Sequence, residues 1–165
     1  MVAENRKKSV EVLNKAVAME LTAVHQYMYF HFHCEDMGYK LLADLFHKTS
    51  ILEMRHVEKF AEHILFLKGD VKMKMDKNVE CITDVQKMLE YSTALEHDTV
   101  EAYNRFAAEC AENRDAASKK IIENILMEEE EHEDIFDTEA GNLKQFGEKL
   151  LALQALEYSR EMAEK

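Results

Sequence analysis

The chain has 165 residues, no proline and only four glycines, which suits one domain with a sizeable core and leaves little to break or kink a helix. Its formal net charge of −12 has the wrong sign for binding a phosphate backbone, so no nucleic-acid surface is expected and attraction of cations is. No apolar run is long enough to span a bilayer and the polar start "MVAENRKKSV" contains no h-region, so a cytoplasmic protein without membrane contact is expected.

A continuous helical pattern runs from about Glu4 to Asp36, with Gly38 after it, and a second from about Tyr39 to Lys68, ended by Gly69. The following "DVKMKMDKNVECIT" reads as a connection, long enough to run along a bundle and cross over. A third helix is expected from Thr83 or Asp84, where Thr83 and Gln86 resemble a capping box, to about Asn113. The fourth is expected from Asp115 to about Gly141, and a short fifth after Gly147 in "EKLLALQALEYSREMAEK". At a rise of 1.5 Å per residue the four long helices would each be about 40 to 50 Å long. The fold class is therefore all-α: one domain over residues 1–165, with a four-helix bundle over about 4–143, a long crossover between helices 2 and 3, and a C-terminal helix over about 147–162. Cys34, Cys81 and Cys110 are odd in number and form no C-x-x-C, so they read as buried or half-buried free thiols.

A repeat crosses these helices. Glu53 and Glu129 are 76 positions apart, as are His56 and His132, Glu20 and Glu96, and Tyr27 and Tyr103. The chain thus carries two copies of one arrangement, a Glu with a Tyr seven residues later and a Glu-x-x-His beginning 33 residues after that Glu. Residues at i and i+3 share a helix face, so Glu53 projects with His56 and Glu129 with His132. Glu20 and Glu96 reach the same midpoint from the other two helices. Four like charges buried without partners would cost more than a fold's net stability of about 5 to 15 kcal/mol. Two divalent cations balance four carboxylates, and carboxylate with imidazole suits iron or manganese, with zinc as a further candidate.

Other residues have plainer readings. Glu128, Glu130, Glu131 and Glu133 read as a solvated charge run, and His25, His31, His33, His47, His63 and His97 as surface or satisfied histidines, since none has a repeated partner. Tyr27 and Tyr103 read as core aromatics with bonded hydroxyls. Met54, one step of about 100° beyond Glu53, is expected to face outward, with Val57, Ala61 and Leu65 continuing an apolar stripe that suggests a partner surface.

Glu20, "LEMRH", "ALEHD" with Glu96, and "EEEEH" together resemble the ferritin-like superfamily. "HVEKFAEHILFLKG", "DVQKMLEYSTALE" and "FGEKLLALQAL" extend the likeness over nearly the whole chain and point to the bacterioferritins within it. The resemblance implies a ferroxidase with two iron ions per subunit: Glu20 and Glu96 as terminal ligands, Glu53 and Glu129 bridging, His56 and His132 each completing one iron. It also implies a haem between two subunits with Met54 as axial ligand, and a homo-oligomeric shell of 24 subunits built from dimers. Fe²⁺ would be oxidised by O₂ or H₂O₂ and stored as mineral, with haem as an electron path for release. One departure stands in "FHKTSIL": Lys48 and Leu52 occupy the places where some bacterioferritins carry ligands for an additional iron on the inner surface. Two neighbouring functions share the ligand set, a rubrerythrin-like di-iron peroxidase and a smaller ferritin-like shell in oxidative-stress defence. The first usually brings paired C-x-x-C motifs and the second places its iron between subunits, so both fit this sequence less well.

Overall fold

The computed structural model describes residues 2–163 as five helices and no strand: α1 (Val2–Asp36), α2 (Lys40–Phe66), α3 (Val85–Glu112), α4 (Ala116–Phe146) and α5 (Glu148–Ala163). The last residue of the expected tail, Lys165, lies outside the described residues. No helix is long and apolar enough to cross a membrane among the described residues. The two pairs α1/α2 and α3/α4 form antiparallel hairpins, α1 packs on α3 and α2 on α4, and α5 lies against α2 and α4.

Helix ends follow from local chemistry. After α1, Gly38 takes a left-handed φ of 83°, and Tyr39 N–H bonds Cys34 O at 2.9 Å to satisfy an orphan carbonyl. After α2 and α3 the left-handed position falls on Lys68 and Arg114, with Gly69 N–H to Ile64 O and Asp115 N–H to Cys110 O, both 2.9 Å, closing the same motif. Gly69 is needed for another reason: a Cβ there would come within 2.5 Å of Val10 Cγ1. At the start of α3 the cap is Asp84, whose carboxylate accepts from Lys87 N–H at 2.9 Å, and not the Thr83–Gln86 box. Gln86 instead donates to Glu90 and to Ala140 O. The fourth helix passes through Gly141 and ends at Phe146, where Gly147 supplies a φ of 64°. Gly141 costs a helix only about 1 kcal/mol, and the apolar Leu143 behind it is buried.

Residues 67–84 carry the chain back along the bundle, parallel to α1, and three buried polar side chains of α1 hold them. Asn14 donates to Asp70 O and accepts from Lys72 N–H. Thr22 accepts from Asp76 N–H and Lys77 N–H. Gln26 bonds both backbone groups of Glu80, at 2.8 and 3.0 Å. This return makes α3 start beside the end of α1, so that α1 and α3 run antiparallel and residues from early in one meet residues from late in the other.

The core has two parts. One, toward the α1 N-terminus, gathers Leu13, Val17, Phe60, Tyr103, Ile122 and Ile125. The other gathers Tyr27, Phe30, Phe46, Met88, Leu89 and Phe136. Each fully buried large side chain contributes about 1.5 to 3 kcal/mol, which is what allows polar groups to be buried between the two clusters.

Candidate metal centre

Glu20, Glu53, His56, Glu96, Glu129 and His132 are all buried. Their ligand atoms form two tetrads, Glu20–Glu53–His56–Glu129 and Glu53–Glu96–Glu129–His132, each with all four atoms within 4.8 Å of one another. The tetrads share Glu53 and Glu129. On α2, Glu53 and His56 lie one turn apart, and α4 repeats the pair with Glu129 and His132, so the two helices present the same face to each other. His56 and His132 stack with centroids 6.1 Å apart.

Each histidine meets carboxylates from both hairpins. His56 Nδ1 lies 3.0 Å from Glu53 Oε2, 2.8 Å from Glu129 Oε1 and 3.5 Å from Glu20 Oε2. His132 Nδ1 lies 3.2 Å from Glu129 Oε2 and 3.0 Å from Glu53 Oε1. One ring N–H cannot serve several oxygens, and Glu53 Oε1 and Glu129 Oε1 are left buried with no hydrogen bond. Orphaned carboxylate oxygens aimed at a common centre are what a divalent cation satisfies. Hard oxygen donors with one imidazole per tetrad suit iron or manganese, so this donor set fits a pair of such ions.

The electrostatics agree. Burial and the Glu129 charge raise the Glu20 carboxyl above its usual range, and burial with the Glu53 and Glu129 charges raises Glu96 further. Burial opposes charge on His132, but the Glu129 and Glu53 carboxylates beside its ring push it up to about 11. His56 is raised as well, the Glu129, Glu20 and Glu53 carboxylates around it outweighing burial. Protons on the imidazoles thus stand where cations would otherwise neutralise the acids.

The two tyrosines cross between copies. Tyr27 donates its hydroxyl to Glu96 and Tyr103 donates to Glu20, a consequence of the antiparallel pairing of α1 with α3. Phe136 packs on Tyr27 and Phe60 on Tyr103 at 5.1 and 5.9 Å between centroids. Phe60 and Phe136 are themselves 76 positions apart, as are Leu13 and Leu89, Phe30 and Phe106, and Cys34 and Cys110, so a search for further identities at that spacing would have found the tyrosine supports. Cys34 and Cys110 are buried as expected, their thiols pushed by burial up to about 12, whereas Cys81 is exposed, against the expectation of a buried or half-buried thiol.

Three further sequence expectations need correcting. Glu128 is not merely solvated: its Oε2 accepts from His56 Nε2 at 3.0 Å and its Oε1 pairs with Lys59 Nζ at 2.8 Å. No local pattern signals this, since 72 residues separate Glu128 from His56. Glu133 is half-buried and pairs with His97 at 2.9 Å, whereas Glu130 and Glu131 are exposed as expected. The apolar stripe after Met54 is not wholly outward: Val57 is buried in the core, Ala61 is half-buried and Leu65 is exposed. Met54 itself is half-buried against the core cluster near the α1 N-terminus.

Comparison with known proteins agrees with this geometry. The family profile of the ferritin-like domain matches residues 10–146. The bacterioferritin of Desulfovibrio desulfuricans is 39% identical over 150 residues, covering 90% of this chain and 84% of that protein. That of Rhodobacter capsulatus is 35% identical, covering 88% and 91%. Among solved structures, an X-ray structure of the D. desulfuricans bacterioferritin, of its diiron site in different catalytic states, superposes with a TM-score of 0.92 at 36% identity, covering 93% of this chain and 90% of that one. The bacterioferritin of Mycobacterium tuberculosis superposes with a TM-score of 0.84 at 28% identity, covering 89% and 92%.

Proposed function

The chain belongs to the ferritin-like family as a bacterioferritin, an iron-storage protein, and from that premise we propose that it is a ferroxidase acting on two Fe²⁺ ions held within one subunit. The observation that carries this reading is the pair of tetrads sharing Glu53 and Glu129. Glu20, Glu53, His56 and Glu129 would hold one ion, and Glu53, Glu96, Glu129 and His132 the other.

When bound, two Fe²⁺ supply one electron each, enough to reduce O₂ to H₂O₂ or H₂O₂ to water. The protein's own groups prepare for that charge change. As ions enter, the Nδ1 protons of His56 and His132 leave and the rings turn from charge partners of the acids into neutral donors. Glu53 and Glu129 each place one oxygen toward either histidine, which draws the two ions to a common centre. The four carboxylates stabilise the added positive charge of oxidation, while Tyr103 and Tyr27 fix the orientation of Glu20 and Glu96 through their hydroxyls.

Storage as mineral requires a hollow closed assembly, since one bundle has no room for it, and closed symmetric homo-oligomers are the usual solution. Exposed Phe32, Leu65, Phe66, Met127, Leu153 and Leu156, spread along the bundle, support burial against further copies, and a shell of 24 built from dimers is the family's form. Met54 is a candidate axial ligand for a haem shared with a second copy: it is half-buried, and Ile51 one turn earlier is 44% exposed and apolar, as a flat hydrophobic group requires. The haem would supply an electron path for iron release.

Stepwise aerobic addition of Fe²⁺ to metal-free protein, with iron counted on the peak from a sizing column, tests the proposal. Tens to hundreds of irons per chain in a large assembly are expected. Uptake that stops near two per chain would replace storage with a closed redox site of the peroxidase type.

A further inference from the structure

The two halves of the centre share their bridging acids but differ just outside them. An imidazole that ligates through Nδ1 must carry its proton on Nε2, and a carboxylate accepting that proton fixes the tautomer, locks the ring plane and makes Nδ1 more basic. His56 has such a partner in Glu128 at 3.0 Å, itself held by Lys59 at 2.8 Å. His132 has none: among the described residues only its Nδ1 takes part in a hydrogen bond or ion pair. The repeat shows why. Leu52 stands 76 positions before Glu128, and Ile135 stands 76 positions after Lys59, so both members of the outer pair are apolar in the other copy.

We propose that Glu128, braced by Lys59, is a positioning residue for His56 that makes the Glu20–His56 half-site the tighter of the two and the first to fill. This rests on the di-metal reading above. The functional consequence is an ordered centre: one ion is held strongly on the ring that cannot turn, and the second, beside the unbraced His132, binds more weakly and exchanges more readily. An asymmetry of that kind suits a site whose metal is also its substrate, because one half retains an ion while the other passes it on.

Co²⁺ titration of the full-length metal-free protein, followed by its visible bands, separates the half-sites when one terminal ligand is removed. Glu96→Ala leaves the Glu20–His56 tetrad intact, and Glu20→Ala leaves the Glu96–His132 tetrad. Adding Glu128→Leu should weaken Co²⁺ binding about 10-fold or more in the Glu96→Ala background, the usual range for loss of such a support, and less than about twofold in the Glu20→Ala background. Glu128→Gln should recover part of the loss, since its amide oxygen still accepts the Nε2 proton. Glu128→Leu leaves the buried His56 Nε2–H without its acceptor, so the metal-free melting temperature should fall by the same amount in both backgrounds, and the difference in Co²⁺ affinity between the backgrounds separates positioning from folding. Equal weakening in both backgrounds, or none in the Glu96→Ala background, would overturn the proposal. If the unsubstituted protein fails to take up two Co²⁺ per chain, the di-metal reading fails and this inference falls with it, a result distinct from loss of the asymmetry alone.

Discussion

The hairpins α1/α2 and α3/α4 carry one pattern at a spacing of 76 residues, and comparing them shows where the chain was constrained and where it was free. Inward, the copies agree: acid, tyrosine, Glu-x-x-His and the phenylalanine four residues after each histidine. Outward, they diverge. Met54 of α2 corresponds to Glu130 of α4, and Leu52 to Glu128. Asn14, Thr22 and Gln26 of α1, which hold the crossover, correspond to Glu90, Asp98 and Ala102 of α3. The two buried tetrads share Glu53 and Glu129, so a change to an inner residue of one copy is felt by both. The exterior meets different neighbours on each hairpin and takes whatever side chains those neighbours need.

The strongest test of this contrast removes a shared ligand. Glu129→Ala takes an oxygen from both tetrads, so Fe²⁺ oxidation should fall to the protein-free background and both ions should be lost. The metal-free fold should survive with some loss of stability, because Glu129 pairs with both buried imidazoles and its removal leaves their charge less well compensated. Glu20→Ala and Glu96→Ala should each remove one ion and leave the other half-site able to bind. Counting Fe²⁺ or Co²⁺ per chain distinguishes two lost ions from one, and wild-type oxidation rates in Glu129→Ala would remove the assignment altogether.

Smaller effects are expected where the hairpins differ in structural load. Gln26→Ala strips the bonds that satisfy both backbone groups of Glu80, a cost of about 1 to 3 kcal/mol, or about 2 to 12 °C of melting temperature in a chain of this size. The corresponding change to the other copy has no counterpart, since Ala102 already stands there; Glu90→Ala, on the exposed face of α3 opposite to Asn14 in the repeat, should stay within about 0.5 kcal/mol. Tyr27→Phe and Tyr103→Phe should instead behave alike. Each takes a hydroxyl from one terminal acid, about 1 to 2 kcal/mol in metal-free protein, and a large inequality in thermal melts would show that the copies are not equivalent inside.

The inner half of this design was legible in the sequence because it repeats. Glu20, Glu53, His56, Glu96, Glu129 and His132 could be paired by spacing alone, and the absence of proline with glycines near the turns marked out five helices. What escaped had no local signature. The Glu128 bond to His56 joins residues that only the packing of α2 on α4 brings together. Val57 is the exception, for it follows Glu53 by four residues and so shares its inward face, and it is buried in the core cluster near the α1 N-terminus. Asp84 capped α3 in place of Thr83 because either residue can cap and the choice depends on where the crossover delivers the chain. Gly141 read as a stop but was carried through, since Leu143 beyond it packs into the second core cluster.

The last expected effect is a pH dependence common to both halves. His132 is raised to about 11 in the folded chain, above its unfolded value of about 6.5, so its contribution to stability is complete below that lower value and is lost as pH rises toward the higher one. Glu20 and Glu96 are also raised, and ionising them in the fold costs more than in the open chain, so their effect has the same sign from about pH 4.5 upward. Metal-free protein should therefore melt a few degrees lower at pH 9 than at pH 6, an order-of-magnitude expectation for a chain of this size. Cations reverse the sign, because they compete with the Nδ1 protons that high pH removes. The gap in melting temperature between Mn²⁺-loaded and metal-free protein should thus widen with pH, and in the Glu129→Ala chain, which lacks the ligand common to both halves, it should vanish at every pH. A gap that is constant from pH 6 to 9 would mean that metal binding releases no protons in that range, so that neither the imidazoles nor the acids hold a proton there in the metal-free fold.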